Sequence, residues 1–445
     1  MSAIALVVPP VKNGFVISDY MAGLGMKTSG SESCLPPLDF LYAASILRQK
    51  GHRVSVIDSP AQRLNEKDLF SLITQSKPEK IFVDIRFPSF TGDLDIARRL
   101  KSHVPFVAVS APMAALLADE IRRRYDFDRV VEGNPITGIP LAVEGRIADD
   151  PRLPDLDTLP YPAREMVAEN DYFFRTLPKG PFTTMITSQG CPYGCIYCPY
   201  HTIQGDLVRK RRAGDVVEEL AGLYAAGYRS VLFRDPVFTF DRAHVEKICS
   251  GIISRNIRID WWCETRTDTL DAGILTLMKR AGARGVNFGV ESGDNAVLAA
   301  AGRKSWEQER TREVIALCRK YGIGTKGFFI LGLPGEDTAS LKRTIECARN
   351  LDPDYAVFMI AMPFPGTKLF DLYLKERPVS DFFTGRQVYY IPGGLTLGEL
   401  ERFRKLAVRS FYLRPRHVLR EVRLSLHPKG MKEAVTQLKW LVSKS

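Results

Sequence analysis

The chain reads as an α/β protein: an N-terminal Rossmann-like doubly wound parallel sheet, then a partial (β/α)6 barrel, then a C-terminal helical tail. Two alternating series of strand-length apolar runs and amphipathic helical segments predict the first two units. A proline-rich stretch divides the series, and basic residues crowd the end of the chain. The 445 residues leave room for two or three separate cores.

In the first series, Ile4–Val8 is an apolar run stopped by Pro9-Pro10, and Val54–Asp58 is a second. Between them Phe40, Ala43, Ala44 and Leu47 recur at helical spacing, and Gly51 closes that helix. Ile81–Ile85, Phe106–Val109 and Val130–Val131 supply further strands, with helices over Asp95–Leu100 and Ala114–Arg124. Ligands of such sheets sit at the strand carboxyl ends, which directs attention to the loops after Val8, Asp58, Ile85 and Val109. Residues 1–148 form this unit, and the proline-rich segment 149–181 links or wraps it.

The second series, residues 182–376, places strands at Thr183–Thr187, Ser230–Phe233, Asp260–Cys263, Gly285–Val290, Gly327–Leu331 and Ala356–Ala361. Helices fit Gly214–Ala226, Arg242–Arg255, Asp271–Ala281, Trp306–Tyr321 and Thr338–Asn350. Such units suit a full or partial α/β barrel with its chemistry at the strand carboxyl ends. No GxGxxG or Walker-type loop appears, which argues against nucleotide-redox and phosphoryl-transfer chemistry.

Residues 377–445 form the tail. The formal charge of +11 resides mainly in residues 401–445, where twelve Lys/Arg face three Glu. The rest is near neutral, with 50 basic and 48 acidic groups, so a uniform nucleic-acid footprint is absent. Leu400, Phe403, Leu406, Ala407 and Phe411 make one apolar stripe, and Met431, Ala434, Val435, Leu438, Leu441 and Val442 make another. Basic amphipathic helices of this kind lie on an anionic membrane surface or pack on a neighbouring domain. No apolar run of about 18 residues predicts a spanning helix. MSAIALVVPP lacks a charged n-region and reads as a strand, so a cytoplasmic setting is expected, with peripheral attachment at the inner face of the membrane as the tail's alternative. Eight cysteines then do not suggest a disulfide framework.

Three of them stand together. Gly190-Cys191-Pro192-Tyr193-Gly194-Cys195-Ile196-Tyr197-Cys198 directly follows the first barrel strand. Thiolates at C-x3-C-x2-C spacing fit a tight loop and can converge on one face of an iron–sulfur cube. Three ligands leave one iron open for substrate. A zinc loop would want a fourth ligand, which His201 can offer. Cys34, Cys249, Cys263, Cys318 and Cys347 show no paired spacing, and Arg209–Arg212 reads as a solvated face before the next helix.

Cys191, Cys195, Cys198 and the preceding Tyr197 resemble the radical S-adenosylmethionine (radical SAM) superfamily. LPPL at Leu35–Leu38, GHRVSVID at Gly51–Asp58, WCETRTD at Trp262–Asp268, FGVESG at Phe288–Gly293, GFFILGLPGE at Gly327–Glu336 and PFPGT at Pro363–Thr367 are similar to its branch with an N-terminal cobalamin-binding domain. The resemblance implies a [4Fe-4S] cluster on the three cysteines. Its open iron chelates S-adenosylmethionine (SAM), and one electron from a flavodoxin- or ferredoxin-like donor yields a 5′-deoxyadenosyl radical. Carried over by position, Tyr197 packs near the adenine, Glu291 and Ser292 bind the ribose or methionine moiety, and Arg266 pairs with the SAM carboxylate. Gly332 and Gly335 let backbone approach the adenine.

The sequence departs from the branch in two places. Phe233-Arg234-Asp235-Pro236 retains one acid, Asp235, where the family presents an acidic pair for the SAM amine. Ser110-Ala111-Pro112 stands where a Gly-Gly pair lets the cobalamin tail approach, and Arg86 occupies the loop that would face the corrin. No histidine lies in a D-x-H-x-x-G loop, though this branch often lacks that ligand. The leading expectation is C–H functionalisation of a small hydrophobic metabolite or lipid, by cobalamin-dependent methylation. Its alternatives are a cobalamin-free cyclisation or rearrangement enzyme, and a non-enzymatic iron–sulfur or zinc protein with a membrane-binding tail.

Overall fold

The computed structural model describes residues 1–10, 33–110, 117–131, 133–146, 155–174, 176–177, 180–303 and 307–419. Strands β1 (Ala3–Val8), β2 (Arg53–Asp58), β3 (Lys80–Asp84), β4 (Phe106–Ser110) and β5 (Arg129–Val131) make one parallel sheet in the order β2-β1-β3-β4-β5. The winding reverses between β1 and β3, which opens a crevice at their carboxyl ends. Side chains alternate between the sheet's faces. Ile4, Leu6, Phe82 and Ala108 pack under α1 (Leu38–Gln49) and α5 (Pro135–Val143). Ala5, Val7, Val83 and Val107 pack under α2 (Glu66–Ser76), α3 (Phe90–Leu100) and α4 (Ala118–Arg124).

A second parallel sheet follows, with β6 (Phe182–Met185), β7 (Ser230–Phe233), β8 (Asp260–Thr265), β9 (Ala283–Glu291), β10 (Gly324–Leu331) and β11 (Tyr355–Ile360) paired in sequence order. Among the described residues β6 and β11 do not pair, so the barrel stays open along one side. Helices α6 (Ala213–Ala225), α7 (Arg242–Ser254), α8 (Ala272–Arg280), α9 (Gln308–Tyr321) and α10 (Thr338–Leu351) cover its outside. Trp261, Cys263, Val286, Phe288 and Phe329 point into that helical layer, so the alternate residues Trp262, Glu264, Asn287 and Lys326 face the lumen. A Cβ on Gly285 would overlap the Trp262 ring, and one on Gly324 would lie 3.0 Å from it. Trp262 therefore floors the lumen.

The expected strands are all present, with ends shifted by a few residues. Helix α2, which the periodicity did not predict, starts at a capping box made by Asn65 and Asp68. The connecting segment is ordered where it is described. Ala163 N–H donates to Leu41 O at 3.1 Å, and Arg164 reaches into the barrel wall. Arg164 donates to Thr183 Oγ1 at 3.0 Å, Thr184 O at 2.8 Å and Glu219 Oε1 at 2.6 Å. Arg211 pairs with Glu219 Oε2 at 2.6 Å and donates to Ile186 O. The reading of residues 209–212 as a solvated face is corrected at one position: Lys210 and Arg212 are exposed, but Arg211 is buried because Glu219 sits on the inward side of α6.

The first tail stripe forms α11 (Leu397–Tyr412), which buries Leu400, Ala407 and Phe411 against the barrel. Tyr412 Oη donates to Ala356 O at 2.8 Å, and His417 is buried beside Phe411. The second stripe lies outside the described residues. No described helix is long and apolar enough to cross a membrane.

Candidate active site

The cysteine loop leaves the carboxyl end of β6 and is pinned from three sides. Cys191 N–H donates to Gly205 O at 3.0 Å, Ile196 N–H to Ala301 O at 3.2 Å, and Leu369 N–H to Ile196 O at 2.9 Å. Gly190 has φ +91°, and a Cβ there would collide with the Leu207 carbonyl. Burial pushes the Cys191 and Cys198 thiols up, and the backbone N–H groups of Tyr193 and Tyr200 that donate to their sulfurs oppose it. Those N–H groups favour the thiolate, which is the metal-binding form.

The chemistry of this donor set fits a cluster better than one ion. Among the described residues no three His, Cys, Asp or Glu side chains gather as a single-ion site. Tetrahedral zinc would need sulfurs about 3.8 Å apart. A cube gives each sulfur its own iron and spreads them wider.

Around the loop the carried-over residues take different places. Glu291 ends β9 in the left-handed region, φ +69°, and is buried. Burial pushes its carboxyl up, while Arg303 and the hydroxyl of Tyr197 pull it back. Arg303 donates to Gly289 O at 2.7 Å and lies 4.0 Å from Glu291 Oε1. Half-buried Tyr197 and buried Glu291 and Arg303 thus form one group beside Cys195 and Cys198. Arg266 lies 3.9 Å from the centroid of the Tyr193 ring and pairs with Asp268.

The remaining four positions are tied into the frame. Both Asp235 oxygens accept hydrogen bonds at the end of β6, from Thr187 N–H at 2.7 Å, the Thr187 hydroxyl, and Ser188 N–H at 3.1 Å. Burial pushes that carboxyl up to about 6. Ser292 Oγ bonds to Thr344 Oγ1 at 3.0 Å and accepts from Asp294 N–H at 3.2 Å. Gly332 and Gly335 have φ +91° and +80°, and buried Glu336 accepts from Gly332 N–H and from Leu333 N–H.

Residues 185–348, which hold this loop and four of the strands that follow it, match the Radical SAM superfamily. The unit is a radical SAM domain. A radical SAM domain works with a [4Fe-4S] cluster and SAM, and the protein is an enzyme of that kind. The chain is 26% identical over 419 residues to an uncharacterized methyltransferase of Pyrococcus horikoshii, covering 87% of this chain and 90% of that one. It is 24% identical to hopanoid C-3 methylase of Methylococcus capsulatus, over 78% of this chain and 70% of that one. In three dimensions it resembles the radical SAM methyltransferase TsrM from Kitasatospora setae, solved with cobalamin and a [4Fe-4S] cluster. The TM-score is 0.68 at 17% identity, covering 92% and 91% of the two chains. That likeness extends beyond the radical SAM domain into the N-terminal sheet.

At the crevice of that sheet, Asp58 ends β2 on one side of β1, and Asp84 and Ser110 end the neighbouring strands β3 and β4 on the other, all on the face covered by α1. Asp39 Oδ2, Asp84 Oδ1, Ser59 Oγ and Ser110 Oγ are buried there without hydrogen-bond partners. Such orphaned polar atoms fit a ligand rich in amide groups, as a corrinoid is. Arg86 does not project outward. It is buried, held by Asp93 at 3.0 Å and by Pro9 O at 2.9 Å. Sequence reasoning missed Arg303, which stands in no motif, and gave no role to Glu264 although it lies within WCETRTD. The one signal for Arg303 was a buried acid, Glu291, in need of a cation.

Proposed function

We propose that this radical SAM enzyme methylates an unactivated carbon of a small amphipathic metabolite and uses cobalamin to do so. The observation that carries the reading is the cysteine loop at the carboxyl end of an open barrel, in a chain whose N-terminal sheet keeps a polar crevice at its switch point. When bound, the cluster and SAM supply a carbon-centred radical, and cobalamin supplies the methyl carrier. Cys191, Cys195 and Cys198 hold the cluster, and the Tyr193 and Tyr200 N–H groups steady two of the sulfurs. Arg266, stacked on Tyr193, and Glu291, restrained by Arg303 and Tyr197, orient SAM at the open iron. The Gly332–Gly335 strap keeps backbone close to the adenine. Asp39, Asp84 and Ser110 face the corrin amides.

The test is anaerobic reconstitution with iron, sulfide and SAM. Release of 5′-deoxyadenosine that Cys195→Ala abolishes supports the radical chemistry; its absence under full reduction sinks it. Corrin absorbance retained after incubation with hydroxocobalamin and desalting supports methylation. Loss of that absorbance with SAM cleavage intact leaves a cobalamin-free enzyme.

A further inference from the structure

Midway down the barrel, one register level carries polar side chains on five consecutive strands or their ends. Arg234, just past β7, follows Phe233, which pairs with Cys263. Glu264 pairs with Asn287, Asn287 with Lys326, and Lys326 with Tyr355. The lumen is open at this level: the Glu264 side chain is 19% exposed, and Lys326 and Tyr355 are half-buried.

The belt is polar but unevenly satisfied. Glu264 accepts from Arg234 Nη1 at 2.7 Å and from Tyr200 Oη at 3.0 Å. Lys326 Nζ lies 4.7 Å from the centroid of the Phe174 ring and 5.9 Å from that of Tyr355. Asn287 is buried, and its Oδ1 accepts nothing. A buried acceptor left empty is costly, so its retention on a lumen-facing strand points to a donor supplied by a ligand. The other half of the lumen is apolar. Phe328, Val357 and Met359 line it from β10 and β11, alternating with the outward-facing Phe329 and Phe358.

We infer that the substrate of the reaction proposed above carries an apolar body and an uncharged or cationic hydrogen-bond-donating head, an alcohol or an amine. The head donates to Asn287 Oδ1 beside the Glu264 carboxylate, and the body lies along Phe328, Val357 and Met359. A carboxylate head is disfavoured, because it has no proton to donate and leaves Asn287 Oδ1 empty. Tyr200 ties the belt to the cluster loop: it follows Cys198 by two positions, and its hydroxyl reaches Glu264. A head fixed at Asn287 therefore fixes the distance from the body to the open iron. The inference rests on the reading of the barrel as the site of turnover, but its test does not require turnover.

Four probes share one phenyl body: phenethyl alcohol, phenethylamine, hydrocinnamate and propylbenzene. Each is titrated calorimetrically into anaerobically reconstituted, cluster-loaded protein. The alcohol and the amine are expected to bind at least about tenfold tighter than the hydrocarbon and the carboxylate, the ratio one donated hydrogen bond to a buried acceptor supplies. Asn287→Leu removes that preference and raises the melting temperature of the ligand-free protein by about 2–4 °C. Asn287→Asp keeps the acceptor and the preference, which separates a lost contact from a damaged fold. Tightest binding of hydrocinnamate, equal binding of all four, binding of none, or an unchanged preference in Asn287→Leu each overturns the inference. Donor preference without SAM cleavage would retain the belt and reject the radical reading. Cleavage without donor preference would do the reverse.

Discussion

A Cβ on Gly302 would lie 2.7 Å from the carbonyl oxygen of Gly194, inside the cysteine loop. Gly302 has φ +79°, and the neighbouring Ala301 carbonyl holds Ile196. Gly302→Ala therefore strains its own backbone by more than about 1 kcal/mol and pushes the loop away from its seat. Iron and sulfide content after reconstitution should fall well below that of the wild type, with the far-ultraviolet circular dichroism unchanged. Full cluster loading in the variant would show that the loop does not need this contact.

The same loop predicts unequal effects of its two aromatic neighbours. Tyr193→Leu removes the ring under Arg266, and Tyr197→Phe removes the hydroxyl on Glu291. Both should keep the cluster's visible absorbance while weakening SAM binding, by roughly fivefold to thirtyfold for a contact worth about 1–2 kcal/mol. Equal SAM affinity in wild type and both variants would remove Arg266 and Glu291 from the SAM site.

Arg164 and Arg211 share Glu219 in a closed interior. Truncating the shared carboxylate leaves two buried guanidinium charges uncompensated, so Glu219→Ala should cost about 3–5 kcal/mol. Arg164→Met should cost less, because Arg211 and Glu219 remain a neutral pair. Chemical denaturation of the wild type and the two variants measures the difference, and a cost below about 1 kcal/mol for Glu219→Ala would contradict the buried pairing.

Burial pushes the carboxyls of Asp39 and Asp84 up to about 7; the Asp84 charge adds to the rise at Asp39, while at Asp84 the Arg86 guanidinium opposes it and the Asp93 and Asp58 charges add to it. Both are neutral in the folded protein at pH 5 and ionise in the unfolded chain near pH 4. Their stabilising contribution is complete below pH 4 and is lost as pH rises to about 7. The ligand-free protein should thus lose stability between pH 5 and pH 8, and Asp84→Asn should flatten that slope. Identical melting-temperature profiles would place the Asp84 charge in water.

Phe411 is fully buried between Phe358 and His417, whereas Leu406 on the same helix is 52% exposed. Phe411→Ala should destabilise by about 3–5 kcal/mol, and Leu406→Ser by less than about 0.5 kcal/mol. The helix then acts as a wall of the barrel. Equal, small effects would return it to the surface.

Alternation of apolar runs made both sheets legible, because parallel strands buried on two faces leave few other readings. Sheet order was not legible: nothing local distinguishes β2-β1-β3 from sequential pairing, since the switch depends on which edge of β1 each crossover returns to. The cysteine spacing exposed the cluster loop, yet Arg303 escaped notice because its partner Glu291 meets it only through the turn after β9. Arg211 was misread from its basic neighbours. Glu219, set among Val216, Val217, Leu220 and Leu223 on α6, was the available sign that a cation had to be buried nearby.

Phe87, at the end of the first sheet, lies 5.3 Å from Phe364 and 5.5 Å from Phe382 by ring centroids. During synthesis from the N-terminus, those partners leave the ribosome only after the whole barrel has been translated. Phe87 must wait, partly uncovered, for nearly three hundred residues before those rings close over it. Ribosome-stalled chains ending before Phe364 should therefore stay protease-sensitive around Phe87 and recruit chaperones, and chains ending past Phe382 should not.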